Sequence, residues 1–76
     1  MVYVFLADGF EEVEALTPID VLRRAGVDVR TVGVTGKTVT GSHGVPMIAD
    51  LLPEETDLAS ADLIFLPGGM PGTKNL

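Results

Sequence analysis

Apolar runs and apolar–polar alternation divide this chain into short segments of different type. Residues 2–7 and 63–66 are almost entirely apolar, and each run has the length of a strand. Strands without alternation are typical of a parallel sheet that is covered on both faces. Residues 27–34 alternate apolar with polar side chains, which predicts a further strand that is less deeply buried.

A helix is predicted over residues 11–25. Its apolar stripe is expected to consist of residues that recur every three positions: Val13, Leu16, Ile19 and Leu22. Arg23 and Arg24 suit the negative end of a helix dipole, and Gly26 is a typical C-terminal cap.

The second half of the chain predicts shorter elements. Residues 38–40 and 45–49 are expected to be short strands on either side of a Gly-Ser-His-Gly loop, and Pro53 is expected to open a short helix or turn. The element order is then β-α-β-(ββ)-α-β. This order predicts an α/β fold with a doubly wound parallel sheet, and residues 1–76 are expected to be the N-terminal part of one such domain, without an internal boundary.

Composition narrows the possible partners. The chain has 76 residues, 46% of them hydrophobic, a formal net charge of -6 and no cysteine. An acidic balance disfavours nucleic acid, and no apolar run approaches the ~20 residues that cross a bilayer. With no basic region before the first strand, a signal peptide is not expected, so the cytoplasm is the expected location. We expect neither a cofactor nor a metal.

The junction between the first strand and the helix is acidic. Ligands bind at such junctions in α/β proteins, but Glu11, Glu12 and Glu14 in the first helical turn would repel a phosphate. Pro18 lies four residues after Glu14, so the carbonyl of Glu14 loses its helical hydrogen bond. A tolerated proline at this point makes Glu14 the candidate for chemistry. The alternative is that all three glutamates only complement the helix dipole.

Gly68 and Gly69 form the second candidate site, directly after the last predicted strand. Their N–H groups could form an anion-binding nest or an oxyanion site, although a plain turn explains the pair equally well. The sequence there is neither a dinucleotide fingerprint nor a phosphate-binding loop, which argues against a nucleotide-binding domain.

Two further residues have plainer interpretations. Asp8 could bind magnesium as in receiver domains, but no phosphoacceptor aspartate ends a later strand, so a helix-entry role is favoured. His43 is the chain's single histidine and lies in a predicted loop. A catalytic histidine would need a nucleophile such as cysteine, and polar surface is the favoured interpretation.

Together these motifs resemble a known family. Residues 4–14 (VFLADGFEEVE), residues 18–26 (PIDVLRRAG) and residues 62–69 (DLIFLPGG) are similar to the ThiJ/PfpI superfamily, in particular to the branch of the Parkinson-disease-associated deglycase. The resemblance runs along essentially the whole chain. It implies a flavodoxin-like three-layer sandwich, normally a homodimer, and activities described as glyoxalase, deglycase, chaperone or intracellular protease.

The resemblance also implies roles for single residues. Glu14 matches a glutamate that contacts the catalytic thiol and carries a proton, and Gly69, after Gly68, matches an oxyanion donor. Arg23 and Arg24 match a helix that faces the dimer interface. His43 takes the place of an arginine that reaches toward the partner subunit.

The nucleophilic cysteine of the family and its histidine would lie beyond Leu76. The resemblance therefore implies the N-terminal part of a cysteine-dependent enzyme acting on methylglyoxal or its protein adducts, inactive as this chain alone. The alternative is a non-catalytic piece, either a chaperone-like protein or a subunit that complements a C-terminal chain.

Overall fold

The computed structural model describes residues 1–68. Gly69 and the predicted turn that follows it therefore lie outside the described residues.

The described part contains a parallel sheet of three strands. These are β1 (Val2–Leu6), β2 (Val29–Gly33) and β5 (Leu63–Phe65), arranged in the order β2-β1-β5 with β1 in the centre. Val4 is paired with Thr31 of β2 on one side and with Phe65 of β5 on the other. Once the two strands of the excursion are set aside, this is the 2-1-3 order of a flavodoxin-like sheet. The predicted fold class is confirmed.

Helix α1 (Glu12–Arg24) connects β1 to β2, and Glu11 caps its N-terminus. The predicted apolar stripe is partly wrong. The buried residues of α1 are Glu12, Ala15 and Ile19, whereas Val13 is 70% exposed. Steps of three residues fall short of a full turn of 3.6 residues, so such a stripe drifts by about 60° per step around the helix. Val13 therefore lies outside the helix face on which Ile19 is buried.

The excursion between β2 and β5 is an antiparallel hairpin of β3 (Thr38–Thr40) and β4 (Pro46–Ile48). After it, two short 3-10 turns, Pro53–Glu55 and Leu58–Ser60, take the place predicted for a short helix or turn. The backbone N–H of Asp57 donates to the hydroxyl of buried Tyr3 over 2.9 Å, which attaches this connection to β1.

The core lies between the sheet, α1 and the hairpin. It is formed by these buried side chains: Val2, Val4, Leu6, Phe10, Ala15, Ile19, Val29 and Val39. Among residues 1–68, no helix combines the length and the apolar character that spanning a bilayer requires.

Strand β5 is less buried than its apolar sequence predicts. Leu63 is 56% exposed and Ile64 is 44% exposed, while Phe65 packs against the core. The reason is the position of β5: it pairs with β1 along one edge and is the last strand of the described sheet. Parallel strands bury both faces only where helices cover them.

Candidate functional site

The acidic junction after β1 is a tight turn that leads directly into α1. The N–H of Phe10 donates to the carbonyl of Ala7 over 3.1 Å, and Gly9 between them has a φ of 88°. Only glycine adopts such a conformation without strain. The side chain of Glu11 then accepts from the N–H of Val13, which satisfies a free donor of the first helical turn.

The structure brings two predicted site residues, Glu14 and Gly68, together. A Cβ atom placed on Gly68 would lie 2.6 Å from Oε2 of Glu14, so the carboxylate occupies the space of a side chain at position 68. The backbone contributes as well, because the N–H of Glu11 donates to the carbonyl of Gly68 over 2.8 Å. Residues 54 positions apart thus meet at the carboxyl edge of the sheet, where α/β proteins bind ligands.

Glu14 itself is exposed, so its carboxylate is open to a reactant. The third predicted catalytic residue, Gly69, lies outside the described residues. An oxyanion role for Gly68 or Gly69 therefore stays a prediction.

The sequence pattern did not single out Glu12, which was grouped with Glu11 and Glu14 as a complement to the helix dipole. Its side chain is buried, with 6% of the residue exposed, and it binds the loop of the hairpin. Oε2 accepts from the backbone N–H of His43 at 2.8 Å and of Val45 at 3.3 Å. Oε1 lies 3.0 Å from Nδ1 of His43 and accepts from the hydroxyl of Ser42 at 3.4 Å. A carboxylate can only accept, so Nδ1 carries a proton.

This arrangement shifts the pKa values of both partners. Burial raises the pKa of Glu12, but the hydrogen bonds from the side chain and backbone of His43 and from Val45 outweigh it and lower the pKa from 4.5 to about 2. The pKa of His43 is raised, first by its hydrogen bond to Glu12 and then by the negative charges of Glu11 and Glu12. Glu12 is therefore ionised throughout the physiological pH range.

His43 is exposed, as the sequence predicted for polar surface, but it also takes part in this ion pair. Donor atoms of Glu11, Glu12 and His43 lie within 4.8 Å of one another, a spacing that could hold a metal ion. Both oxygens of Glu12 already accept hydrogen bonds from residues 42–45, so a cation would have to displace them. The expectation of no metal stays a prediction.

The two arginines of α1 differ in their surroundings. Arg23 donates to the carbonyl of Val29 at 2.9 Å and to the carboxylate of Asp50 at 2.8 Å, and Asp50 also accepts from the N–H of Thr31. Arg24 pairs with Asp20 one helical turn earlier, on the surface. Arg23 therefore links α1 to β2 within the chain.

An open groove runs along the same helix. It is lined by Leu16, Thr17, Ile19, Asp20 and Arg23. The predicted dimer contacts of Arg23, Arg24 and His43 stay predictions.

A parallel sheet in the order 2-1-3, with an exposed carboxylate against a backbone turn at its carboxyl edge, places the chain in the flavodoxin-like α/β class. Comparison with known sequences then identifies the family. The family model described as "DJ-1/PfpI family" matches residues 1–76, and the chain belongs to this family.

Similar proteins include Protein DJ-1 homolog B of Arabidopsis thaliana, which is 43% identical over an alignment 76 residues long that covers 99% of this chain and 17% of the relative. A deglycase of Thermococcus kodakarensis is 34% identical over 68 residues, 90% of this chain and 41% of the relative. The crystal structure of a mutant DJ-1 superfamily protein from Salmonella typhimurium has a TM-score of 0.91 and 43% identity, covering 97% of this chain and 40% of that one. The chain thus spans less than half the length of these relatives.

Proposed function

We propose that this chain supplies the N-terminal half of the active site of a cysteine-dependent glyoxalase or deglycase. Its substrate would be methylglyoxal or a methylglyoxal adduct on protein. Membership in the DJ-1/PfpI family and the deglycase name of the Thermococcus relative support this class. The observation that carries the proposal is the carboxylate of Glu14 lying against the backbone of Gly68 at the carboxyl edge of the sheet.

In this proposal Glu14 moves a proton. The chain has no cysteine, so the nucleophile comes from polypeptide outside it. The thiol adds to the aldehyde carbon, a sulfur–carbon bond forms, and the thiol proton passes by way of Glu14 to the carbonyl oxygen. A carboxylate next to a thiolate would be a like-charge pair, so the two groups together keep one proton. The acidic surroundings suit a neutral aldehyde better than a phosphate ester.

The test joins this chain to the remainder of the Thermococcus deglycase, outside the residues that match, and measures methylglyoxal consumption. We expect activity from the joined protein and none from the 76-residue chain alone. Glu14→Gln should reduce the rate by about 10²–10⁴-fold, the range of general acid–base catalysis. Glu54→Gln, an exposed glutamate in a 3-10 turn, is the matched control and should change nothing.

Full activity of the Glu14→Gln protein would overturn the proposed role of Glu14. Consumption of casein in place of methylglyoxal would instead favour a protease-like member of the family.

A second candidate function rests on strand β5. Leu63, Ile64 and Leu66 leave apolar side chains exposed along and after the last described strand. Such a surface fits a subunit that pairs with a complementary C-terminal chain, or a chaperone-like protein that holds unfolded clients. Intact-mass analysis of the purified protein separates these cases, since a complementing chain co-purifies as a second polypeptide. A homodimer and a cytoplasmic location remain part of the proposal.

A further inference from the structure

The loop of residues 41–45 is built around the carboxylate of Glu12. Two backbone N–H groups and two side chains of this loop bind its two oxygens. The backbone of the loop is attached to the turn that precedes α1 as well, because the N–H of Ser42 donates to the carbonyl of Phe10 over 2.8 Å.

Gly41 shows how closely the loop and the carboxylate fit. A Cβ atom on Gly41 would lie 2.3 Å from Cδ and 2.4 Å from Oε2 of Glu12. Real side chains never approach so closely, so any residue other than glycine would push the carboxylate out of its place. Gly41 is itself buried.

Glu12 and Glu14 hold the first helical turn from two sides. Two residues correspond to about 200° of rotation around an α-helix, so the two side chains leave α1 in nearly opposite directions. Glu12 points into the hairpin loop and Glu14 lies against Gly68. A rotation of this turn that released Glu12 would therefore also carry the carboxylate of Glu14 away from Gly68.

We propose that Glu12, held by the loop of residues 41–45, is a positioning residue that sets the place of the Glu14 carboxylate against Gly68. The effect of Glu12 on catalysis rests on the proposed function, whereas its effect on the position of the Glu14 carboxylate is a geometric claim that does not. A buried, permanently ionised side chain suits this task, because it keeps the same partners over the working pH range. Small displacements of a catalytic group are costly, about 10²-fold for 1 Å.

The geometric claim is tested on the full 76-residue chain by NMR. We expect Glu12→Gln and Gly41→Ala each to shift the amide signal of Gly68 and the side-chain carboxyl signal of Glu14, whereas Glu54→Gln leaves both unchanged. Gly41→Ala is the second variant because it displaces the carboxylate without removing it. If either variant shifts only the signals of residues 41–45, or unfolds the chain without shifting Glu14 in the folded fraction, the proposal is overturned.

A pH profile separates positioning from a general structural role. In the Glu12→Gln protein the amide N–H faces Nδ1 of His43, which can accept only when the imidazole is neutral. The displacement of Glu14 should therefore be largest at low pH and shrink as His43 loses its proton. A displacement that is independent of pH would contradict the proposal.

In the joined protein, Glu12→Gln should lower kcat by about 10–10²-fold with little change in KM. An inactive joined protein with the expected NMR shifts would refute the proposed function and leave the positioning role intact. An active joined protein whose kcat is unaffected by Glu12→Gln would refute the positioning role alone.

Discussion

The carboxylate of Glu12 accepts a 2.8 Å hydrogen bond from the backbone N–H of His43, a residue 31 positions further along the chain. It also faces the imidazole of the same residue. One buried side chain at the start of α1 thus organises the loop between β3 and β4.

The stability of the fold should depend on pH through this pair. The pKa of Glu12 is lowered, so its stabilising contribution is complete above pH 4.5 and is lost as the pH falls toward 2. The pKa of His43 is raised, so its contribution is complete below pH 6.5 and is lost as the pH rises through the raised value. We expect the urea midpoint to be highest between these limits.

Urea unfolding monitored by circular dichroism from pH 2 to pH 9 measures this profile. His43→Gln keeps a hydrogen-bond donor but cannot be charged, so the decline on the alkaline side should disappear. An unchanged alkaline decline in that variant would show that another group is responsible.

Gly41→Ala should destabilise the protein by about 1–3 kcal/mol, because the added methyl group overlaps the Glu12 carboxylate. Gly44→Ala is a suitable comparison. Its φ of 82° is strained for alanine, at a cost of about 1–2 kcal/mol, but no atom lies within 4 Å of the added Cβ.

The two causes separate in double mutants with Glu12→Ala. Removal of the Glu12 side chain takes away the overlap at position 41, so Gly41→Ala should cost less in that background. The cost of Gly44→Ala comes from backbone strain, so it should be the same with or without the Glu12 side chain. Strict additivity for Gly41→Ala, measured by denaturant unfolding, would contradict the overlap.

Gly68→Ala should impair activity more than stability. The alanine Cβ would meet Oε2 of Glu14, which is the end of an exposed, flexible side chain and can swing away into solvent. The melting temperature should therefore change little, while the joined protein should lose methylglyoxal turnover. The melting temperature and the rate of methylglyoxal turnover are measured for the same variant. A large loss of stability with full activity would argue against a site formed by Glu14 and Gly68.

Asp50 and Asp20 should differ in their importance for stability. Asp50 accepts from Arg23 and from both the N–H and the hydroxyl of Thr31, whereas Asp20 forms a surface pair with Arg24. Asp50→Ala should cost about 1–2 kcal/mol, because it leaves the N–H of Thr31 without this partner. Asp20→Ala should cost at most about 0.5 kcal/mol.

Denaturant unfolding of the two alanine variants tests this difference. Equal losses would mean that the Asp50 contacts contribute no more than an exposed ion pair. Arg23 is also a predicted dimer contact, which sedimentation of Arg23→Ala would test. Because Arg23 also binds Asp50, any change in sedimentation should be compared with the change in the unfolding midpoint of the same variant.

Local pattern was sufficient for the larger elements. The apolar run of β1 and the arginine–glycine ending of α1 predicted both elements to within one or two residues. The burial of single side chains was harder to predict from local pattern, as the exposure of Val13 and Leu63 shows. Burial depends on which element covers a residue, and that is a property of the assembled sheet.

By itself the sequence determined the order of elements, the parallel sheet and the acidic turn in which Glu14 lies, because periodicity and turn residues act over a few neighbours. It also carried enough of the family's motifs to identify the DJ-1/PfpI family. Only the tertiary structure decided which glutamate is buried. Glu11, Glu12 and Glu14 are alike in a local pattern, and they differ because Glu12 meets the N–H groups of residues 43 and 45 while Glu14 meets Gly68. The partners of a carboxylate are chosen by packing between distant segments, and no local pattern records that choice.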